Sequence, residues 1–265
     1  MSKETKNGSI SGWVNAEYVR EDSTFDCKAN VNVDLYGLIT GNGSFELHIE
    51  PSEWHMYVGR WPAGGGMKPV NLKFLSVGDF KTYFMLGHLP AYNLDPLNSD
   101  LSKRFGLGKL YYTGKSESFD HAKGFAFAVD GTAAVTIGHP KFASASAKMS
   151  AGCDLSVTDK CYIYKNEKKT WRGNGSVYAY VGLDAGVNPK IILPFLWFCL
   201  PSQLSVFNGE SYVELSGQVP APIVGHAKVK ISLELFDFLK MPTLDLDFTV
   251  GEDHMKEMKE CDPEY

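Results

Sequence analysis

Long apolar runs are missing from this sequence. The longest, residues 191–200, is interrupted by Pro194, and a helix needs about 18 to 20 apolar residues to cross a membrane. The opening residues, Met1 to Lys6, are polar and do not provide the apolar segment of a signal peptide. We therefore expect no membrane span and no signal peptide in this chain, and on sequence alone a cytoplasmic location.

Cysteine is sparse and odd in number. It occurs at five positions: Cys27, Cys153, Cys161, Cys199 and Cys261. Small secreted domains that depend on disulfides carry dense, even sets of cysteines, so the sequence argues against a disulfide framework. Cys153 and Cys161 are close enough in sequence to pair across a hairpin, and this pairing stays open.

Positive charge is scarce as well. The chain has 26 Lys and Arg against 31 Asp and Glu, which gives a formal net charge of -5. Proteins that bind nucleic acid usually present a basic stripe. The densest basic run here, residues 165–172, is short and is interrupted by Glu167. We expect no nucleic-acid partner.

A sustained 3.6-residue apolar pattern is also absent, and alternation with a period of two takes its place. In residues 125–137, Phe125, Phe127, Val135 and Ile137 alternate with Ala, Asp and Thr. The same period runs through residues 145–157, 177–185, 227–235 and 244–250. This is the pattern of β-strands. It predicts an all-β fold of layered antiparallel sheets, sandwich or barrel-like, with little helix.

Strand length divides the chain into two regions. Residues 1–87 carry shorter strand patterns separated by turn residues such as Gly41-Asn42-Gly43. Residues 88–108 are rich in Pro and Asn and predict a connecting loop. Residues 109–265 carry the longer patterns. We predict an N-terminal β subdomain, a loop and a C-terminal β subdomain with these bounds.

The bulkier residues of each long strand share one face, which we predict to be the core. The predicted core residues are Phe125, Phe127, Val135, Leu183, Val229, Ile231 and Leu233. A sheet that crosses a membrane would instead turn one continuously apolar side to lipid. Because the polar faces carry charges such as Lys148 and Lys228, we favour a sheet whose bulky face lies in a protein core.

The sequence offers no catalytic constellation. It contains no Gly-x-Ser-x-Gly motif. Asp130, Asp154 and Asp184 could line one sheet face as the acid–base pair of a hydrolase does, but nothing isolates a pair. His48 and His55 could face each other across a hairpin, whereas a zinc site needs three or four converging ligands. We expect no catalytic residue, no metal and no cofactor.

Aromatic residues cluster around one predicted hairpin and the glycine-rich loop after it. The members of this cluster are Trp54, His55, Tyr57, Arg60 and Trp61. Aromatic side chains and arginine are common anchors of binding surfaces. We predict that these five residues form a binding patch.

Three runs resemble a known type of module. They are residues 44–59 (SFELHIEPSEWHMYVG), 83–90 (YFMLGHLP) and 124–128 (GFAFA), and segments 144–155, 173–182 and 200–250 follow in the expected order. They resemble a module of large secreted or cell-surface proteins of Bacteroidetes-type bacteria. The resemblance implies a repetitive β architecture, an extracellular or cell-surface location and a role in assembly. It assigns no functional residue.

These observations predict a non-catalytic structural or protein-interaction β module, a subunit of a larger surface or extracellular assembly. The expected partners are other protein chains, in a homo- or hetero-oligomer, because an open sheet has edges that favour pairing. Two alternatives stay open. One is a protein that binds a glycan or an apolar ligand in a cavity lined by aromatic residues, and the other is a hydrolase.

Overall fold

The structure is a computed structural model that describes residues 2–5, 8–60, 66–75, 77–90, 122–139, 141–159, 161–192, 204–220, 223–236, 239–251 and 259–261. Nearly every described segment is a strand, so the all-β prediction is confirmed. The strands are β1 (Ser2–Thr5), β2 (Gly8–Val19), β3 (Thr24–Leu35), β4 (Ile39–Ile49), β5 (Trp54–Val58), β6 (Val70–Phe74), β7 (Gly78–His88), β8 (Lys123–His139), β9 (Ala143–Thr158), β10 (Tyr162–Tyr164), β11 (Glu167–Lys169), β12 (Arg172–Val187), β13 (Leu204–Val219), β14 (Val224–Leu235), β15 (Leu239–Lys240), β16 (Leu244–Val250) and β17 (Lys259–Glu260). One helical turn, α1 (Pro189–Ile192), follows β12.

Fourteen strands form one antiparallel sheet. Its order is β1-β2-β3-β4-β5-β7-β8-β9-β12-β13-β14-β15, while β6 pairs with β4 and β7, and β16 pairs with β14. Most neighbours in the sheet are also neighbours in sequence. The pairing is therefore mainly that of successive hairpins, which is the simplest way to pair long alternating segments.

The sheet is continuous across the predicted boundary at residues 88–108. Strands β7 and β8 pair from Gly78 opposite Ala133 to His88 opposite Lys123. The chain between them, residues 91–121, lies outside the described residues. The regions with shorter and longer strands thus contribute to one sheet.

Two turns show how the sequence sets the hairpin register. Between β3 and β4, Tyr36 and Gly37 have φ angles of 59° and 65°, and the Leu38 N–H donates to the Leu35 carbonyl at 2.9 Å. Lys165 and Asn166, between β10 and β11, have φ angles of 49° and 65°. Two successive left-handed residues match the right-handed twist of the flanking strands. Gly and Asn tolerate this conformation well.

A second sheet has three strands in the order β11-β10-β17. A disulfide between Cys161 and Cys261 fastens the C-terminal segment to it. The sequence left a pairing of Cys153 with Cys161 open, and the structure excludes it because Cys153 is a free thiol. The partner of Cys161 is 100 residues away, which local spacing did not indicate.

The buried face of the large sheet is the opposite of the predicted one. Val135, Leu183 and Ile231 are 48%, 45% and 42% exposed, so their assignment to the core is wrong. The buried side chains occupy the alternate positions, in two clusters: Tyr57, Met67, Tyr83, Met85, Leu89, Ala122, Ala126 and Ala128, and Tyr178, Tyr180 and Tyr212. Alternation identified the two faces correctly, but it could not show which of them the folded chain covers.

Candidate functional site

The structure separates the predicted binding patch. Trp54 lies on the exposed, bulky face at the start of β5 and is 43% exposed. His55 and Tyr57 follow at alternating positions, so that Tyr57 is buried on the other face. Arg60 lies just beyond the end of β5 and is partly buried. Trp61 lies outside the described residues. Trp54 therefore cannot act on the same side of the sheet as His55 and Tyr57.

His55 and Tyr57 belong instead to a polar cluster on the buried face. Register places Glu46 opposite Tyr57, and His48 opposite His55. The His55 ring stacks on Tyr57 with a centroid distance of 4.1 Å and on His48 at 5.2 Å. The Tyr57 hydroxyl donates to the His88 carbonyl. Burial raises the pKa of Tyr57, so it acts here as a hydrogen-bond donor.

Charge pairing fixes the ionisation of this cluster. His55 Nε2 lies 3.9 Å from Glu46 Oε1, and Lys28 Nζ lies 2.9 Å from the same oxygen. His55 first, and Lys28 after it, lower the pKa of Glu46 to about 2 against the opposing effect of burial. His48 Nδ1 lies 2.8 Å from Asp26 Oδ1, and this hydrogen bond raises the pKa of His48.

These side chains pair with one another rather than converge on an empty centre. Among the residues that the structure describes, no group of three or more His, Cys, Asp and Glu could hold a metal ion. The expected absence of a metal and of a catalytic residue stays a prediction. The arrangement as it stands is that of a paired polar cluster inside the sheet's buried face.

A second polar track runs along the buried face of the longer strands. The Ser176 hydroxyl donates to Asp154 Oδ2 at 2.6 Å, and the Tyr212 hydroxyl donates to Glu214 Oε2 at 3.1 Å. Arg172 donates to Gln218 Oε1 at 2.7 Å. Burial raises the pKa of Asp154 and that of Glu214. Both carboxyl groups are therefore held in an environment that disfavours their charge.

From the sequence pattern we predicted that the polar residues of these strands face solvent. Asp154 and Lys228 are polar members of the alternating segments 145–157 and 227–235, and such members usually face water. The structure buries Glu214 and His226, and His226 Nε2 lies 2.5 Å from Asp247 Oδ1. A useful signal was the density of Tyr, Ser and Asn at these alternate positions, since these residues can satisfy one another when they are buried.

The opposite face of the same sheet is apolar along the described strands and carries charge only at its margins. Direct register pairs place every second residue along the large-sheet strands from β2 to β16 on one side, which we call the apolar face. In β2 to β7 its residues are Ile10, Gly12, Val14, Ala16, Tyr18, Phe25, Cys27, Ala29, Val31, Val33, Leu35, Ile39, Gly41, Gly43, Phe45, Leu47, Ile49, Trp54, Met56, Val58, Val70, Leu72, Phe74, Gly78, Phe80, Thr82, Phe84 and Leu86. In β8 to β16 they are Phe125, Phe127, Val129, Gly131, Ala133, Val135, Ile137, Ala143, Ala145, Ala147, Met149, Ala151, Cys153, Leu155, Val157, Gly173, Gly175, Val177, Ala179, Val181, Leu183, Ala185, Phe207, Gly209, Ser211, Val213, Leu215, Gly217, Val219, Gly225, Ala227, Val229, Ile231, Leu233, Leu235, Leu244, Leu246, Phe248 and Val250. None of them is Asp, Glu, Lys or Arg. Charges lie at its margins, where Lys123 is the first residue of β8 and Lys3 of the edge strand β1 is opposite Ile10.

Much of this face is open to its surroundings. Ile137 is 71% exposed, and Val14, Val177, Leu215 and Phe248 are also exposed. Aromatic side chains are exposed near strand ends and in turns: Tyr18, Tyr36, Trp54, Phe142, Trp171 and Phe236. A folded monomer in water rarely exposes an apolar patch larger than a few hundred Å². The exposed apolar face is larger than such a patch.

A cavity of about 230 Å³ lies by the hairpin of β14 and β15 on the polar side of the sheet. Its walls include Asn208, Glu210, Ser232, Glu234 and Lys240, and no aromatic side chain lines it. A pocket for an apolar or glycan ligand is usually larger and lined by aromatic and aliphatic groups. This cavity does not favour the ligand-binding alternative.

No helix in the described residues has the length and apolar character needed to cross a membrane. No protein-family model, curated protein or solved structure matches the chain. The likeness to the module of Bacteroidetes-type surface proteins stays a prediction from the three sequence runs.

Proposed function

We propose that this chain is a non-catalytic structural module and a subunit of a larger assembly, and that its apolar face is the surface through which it acts. The observation that carries the proposal is the segregation of charge between the two faces of the large sheet. Charged side chains such as Lys28, Glu46 and Asp154 lie on the buried face, while the apolar face is exposed and carries charge only at its margins. An apolar surface of this size is stabilised only when another apolar surface covers it.

The edges of the large sheet support membership in an assembly. In the described residues the sheet path ends at β1 on one side, and at β15 and β16 on the other. Edge strands present unpaired backbone N–H and C=O groups that favour pairing with a further strand. Strands contributed by other protein chains would satisfy these groups.

The disulfide supports a location outside the cytoplasm. The Cys161–Cys261 bond joins the small sheet to the C-terminal segment, and structural disulfides persist mainly in oxidising compartments. The resemblance to secreted and cell-surface modules implies the same location. Both features favour a surface or extracellular assembly over a cytoplasmic one.

The test is whether the exposed apolar residues govern association. In detergent-free buffer we expect light scattering to show association that increases over a tenfold range of concentration and that mild detergent reverses. The triple variant Val177→Thr, Val181→Thr, Leu215→Thr removes apolar surface at nearly constant backbone preference, and we expect it to shift the population toward the 29.3 kDa monomer.

The control is a triple variant at polar positions of the other face, Ser144→Thr, Ser146→Thr, Ser232→Thr, which should associate as the parent does. A parent chain that stays monomeric at every concentration and binds no apolar dye would overturn the proposal. So would equal association of the two triple variants.

A further inference from the structure

The apolar face can be assigned a partner. We propose that it lies against the hydrocarbon layer of a lipid membrane. This inference rests on the proposed function, because it names the layer that covers the face.

Composition distinguishes lipid from a protein partner. Strands are spaced by about 4.8 Å and rise about 3.3 Å per residue. The face is eleven strand positions wide, because β5 and β6 both lie between β4 and β7, and it covers on the order of 1,500 to 2,000 Å². A protein interface carries about one hydrogen bond per 100 to 200 Å², hence about ten for this face. In the described residues the apolar face offers the hydroxyls of Thr82 and Ser211 and the thiols of Cys27 and Cys153. Its other polar groups lie near its margins, on Tyr18, Trp54, Lys123 and His139.

The length of the uncharged strands fits a hydrocarbon layer. On β12 the apolar face runs from Gly173 to Ala185, and on β8 from Phe125 to Ile137. At about 3.3 Å per residue each stretch is about 40 Å long. With the tilt of about 45° usual for strands in a membrane, such a stretch crosses about 30 Å, the thickness of the hydrocarbon core.

Aromatic residues lie where these stretches end. Trp171 directly precedes β12, Phe142 directly precedes β9 and Phe236 directly follows β14, and all three are exposed. Lys123, one of the marginal charges, is at the first residue of β8. Aromatic rings favour the boundary between lipid and water, and a lysine at the margin can extend its ammonium group into water.

The charges that argued against a membrane in the sequence lie on the other face. Asp154, Lys228 and Glu234 lie opposite polar residues of the buried face, namely Ser176, Glu214 and Asn208. Lys148 lies on the same face, opposite Gly182 and Ala134. Charges on that side do not meet lipid. Because hydrocarbon offers no hydrogen-bond partner to backbone groups, the edge strands must also be paired by further strands, which agrees with membership in an assembly.

The experiment uses the full chain, kept in mild detergent and diluted into vesicles of palmitoyl-oleoyl phosphatidylcholine, a lipid without net charge. Adjacent residues of β14 supply matched variants. Ile231 lies on the apolar face, whereas Ser232 lies on the polar face next to Glu210. We expect the parent and Ser232→Lys to float with the vesicles in a density gradient. Ile231→Lys should show a partition coefficient lower by about tenfold or more, because a lipid-facing lysine is strongly unfavourable.

A second measurement does not depend on the folding of a lysine variant. Cys153 is a free thiol on the apolar face, opposite Val129 and Val177. In a Cys27→Ala, Cys199→Ala background we expect a fluorophore on Cys153 to be quenched by phosphatidylcholine that is brominated on its acyl chains. The control carries the fluorophore at Ser232→Cys in the same background with Cys153→Ala added, and should not be quenched.

The outcomes separate the two proposals. In one outcome the Cys153 probe is not quenched and the chain does not float with the vesicles, but it forms an oligomer that Ile231→Lys disperses. This outcome would show that a second copy of the chain covers the apolar face. The lipid inference then fails and the proposed function survives. If Ile231→Lys matches Ser232→Lys in flotation and in association, and the Cys153 probe stays unquenched, both proposals fail.

Discussion

The two faces of the large sheet differ in both composition and burial, and in the sense opposite to a soluble sheet. The polar face carries the buried rings of Tyr178, Tyr180 and Tyr212 with paired carboxylates. The other face carries Val, Leu, Ile, Phe, Ala and Gly and is exposed. The difference teaches that the polar face of an alternating strand can be the buried one, while the apolar face stays exposed.

The most stringent test of this difference in burial is to truncate one large side chain on each face of β13. Tyr212 is 0% exposed, whereas Leu215 is exposed. We expect Tyr212→Ala to lower the free energy of unfolding by about 3–5 kcal/mol. Leu215→Ala should lower it by less than about 1 kcal/mol, because little contact with this chain is lost. Denaturant unfolding in mild detergent measures both values.

The opposite ranking would contradict the comparison. A larger loss for Leu215→Ala would place the interior on the apolar face, as the sequence alone predicted. Ile231→Ala serves as the control on β14. The sequence predicted a loss of about 2–5 kcal/mol for it as a core residue, whereas its exposure now predicts a small one.

Alternation with a period of two explains why the strands and their two faces were predicted from the sequence but the buried face was not. A period of two in residues 125–137 and 177–185 is enough to predict strands and to separate their faces. It is silent on which face the chain covers, since burial depends on whether another layer packs there. Trp54 and Tyr57 are three residues apart, so the same period places them on opposite faces. Their prediction in one patch followed from their aromatic character rather than from alternation. The partner of Cys161 could not be predicted either, because local sequence spacing does not indicate a disulfide between residues as far apart as Cys161 and Cys261.

Within the polar face, Glu46 tests whether charge pairing stabilises the fold at neutral pH. Its pKa is lowered to about 2, so the paired carboxylate contributes stability above its unfolded pKa of about 4.5, and this contribution is lost as the pH falls from about 4.5 to 2. The contact with His55 is 3.9 Å, longer than a hydrogen bond. We therefore expect Glu46→Gln to cost about 1–2 kcal/mol at pH 7.

The measurement is the free energy of unfolding as a function of pH. The parent should lose stability between pH 4.5 and 2 more steeply than Glu46→Gln. Glu17→Gln is the control, since Glu17 is exposed on β2 and should leave the profile unchanged. A Glu46→Gln profile parallel to that of the parent would show that the ion pair is not formed.

Asp154 lies on the same face, but its pKa is raised, whereas that of Glu46 is lowered. Burial raises the pKa of its carboxyl, and the Ser176 hydrogen bond opposes this only in part. A raised pKa in the folded state means that this group stabilises the fold below its unfolded pKa and that the contribution is lost as the pH rises through the folded value. We expect a smaller effect than for Glu46. Asp154→Asn should be more stable than the parent at pH 7, and the difference should vanish in acid.

Thermal unfolding of the two chains at pH 7 and pH 3 checks this sign. Ser176→Ala is the companion variant and should destabilise the parent, because it removes the donor at 2.6 Å. An Asp154→Asn chain that is less stable than the parent at pH 7 would mean that the carboxylate is better satisfied than its burial indicates.

The smallest expected effect is at His48, at the outer part of the polar cluster. The Asp26 hydrogen bond at 2.8 Å raises the pKa of His48, with weaker contributions from Glu50 and Glu53. This pair stabilises the fold fully below the unfolded histidine pKa of about 6.5, and the contribution is lost as the pH rises through the folded pKa. Because Asp26 is partly exposed, we expect the pair to contribute less than about 1 kcal/mol to the free energy of unfolding.

Titration of the His48 ring by NMR in detergent should show a lower pKa in Asp26→Asn than in the parent. Glu50→Gln is the matched control, since the His48 Nε2 to Glu50 Oε2 distance is 3.7 Å and its removal should lower the pKa less. An equal pKa in the parent and in Asp26→Asn would show that β3 and β4 do not hold this contact in solution, and the polar cluster would then begin at Glu46.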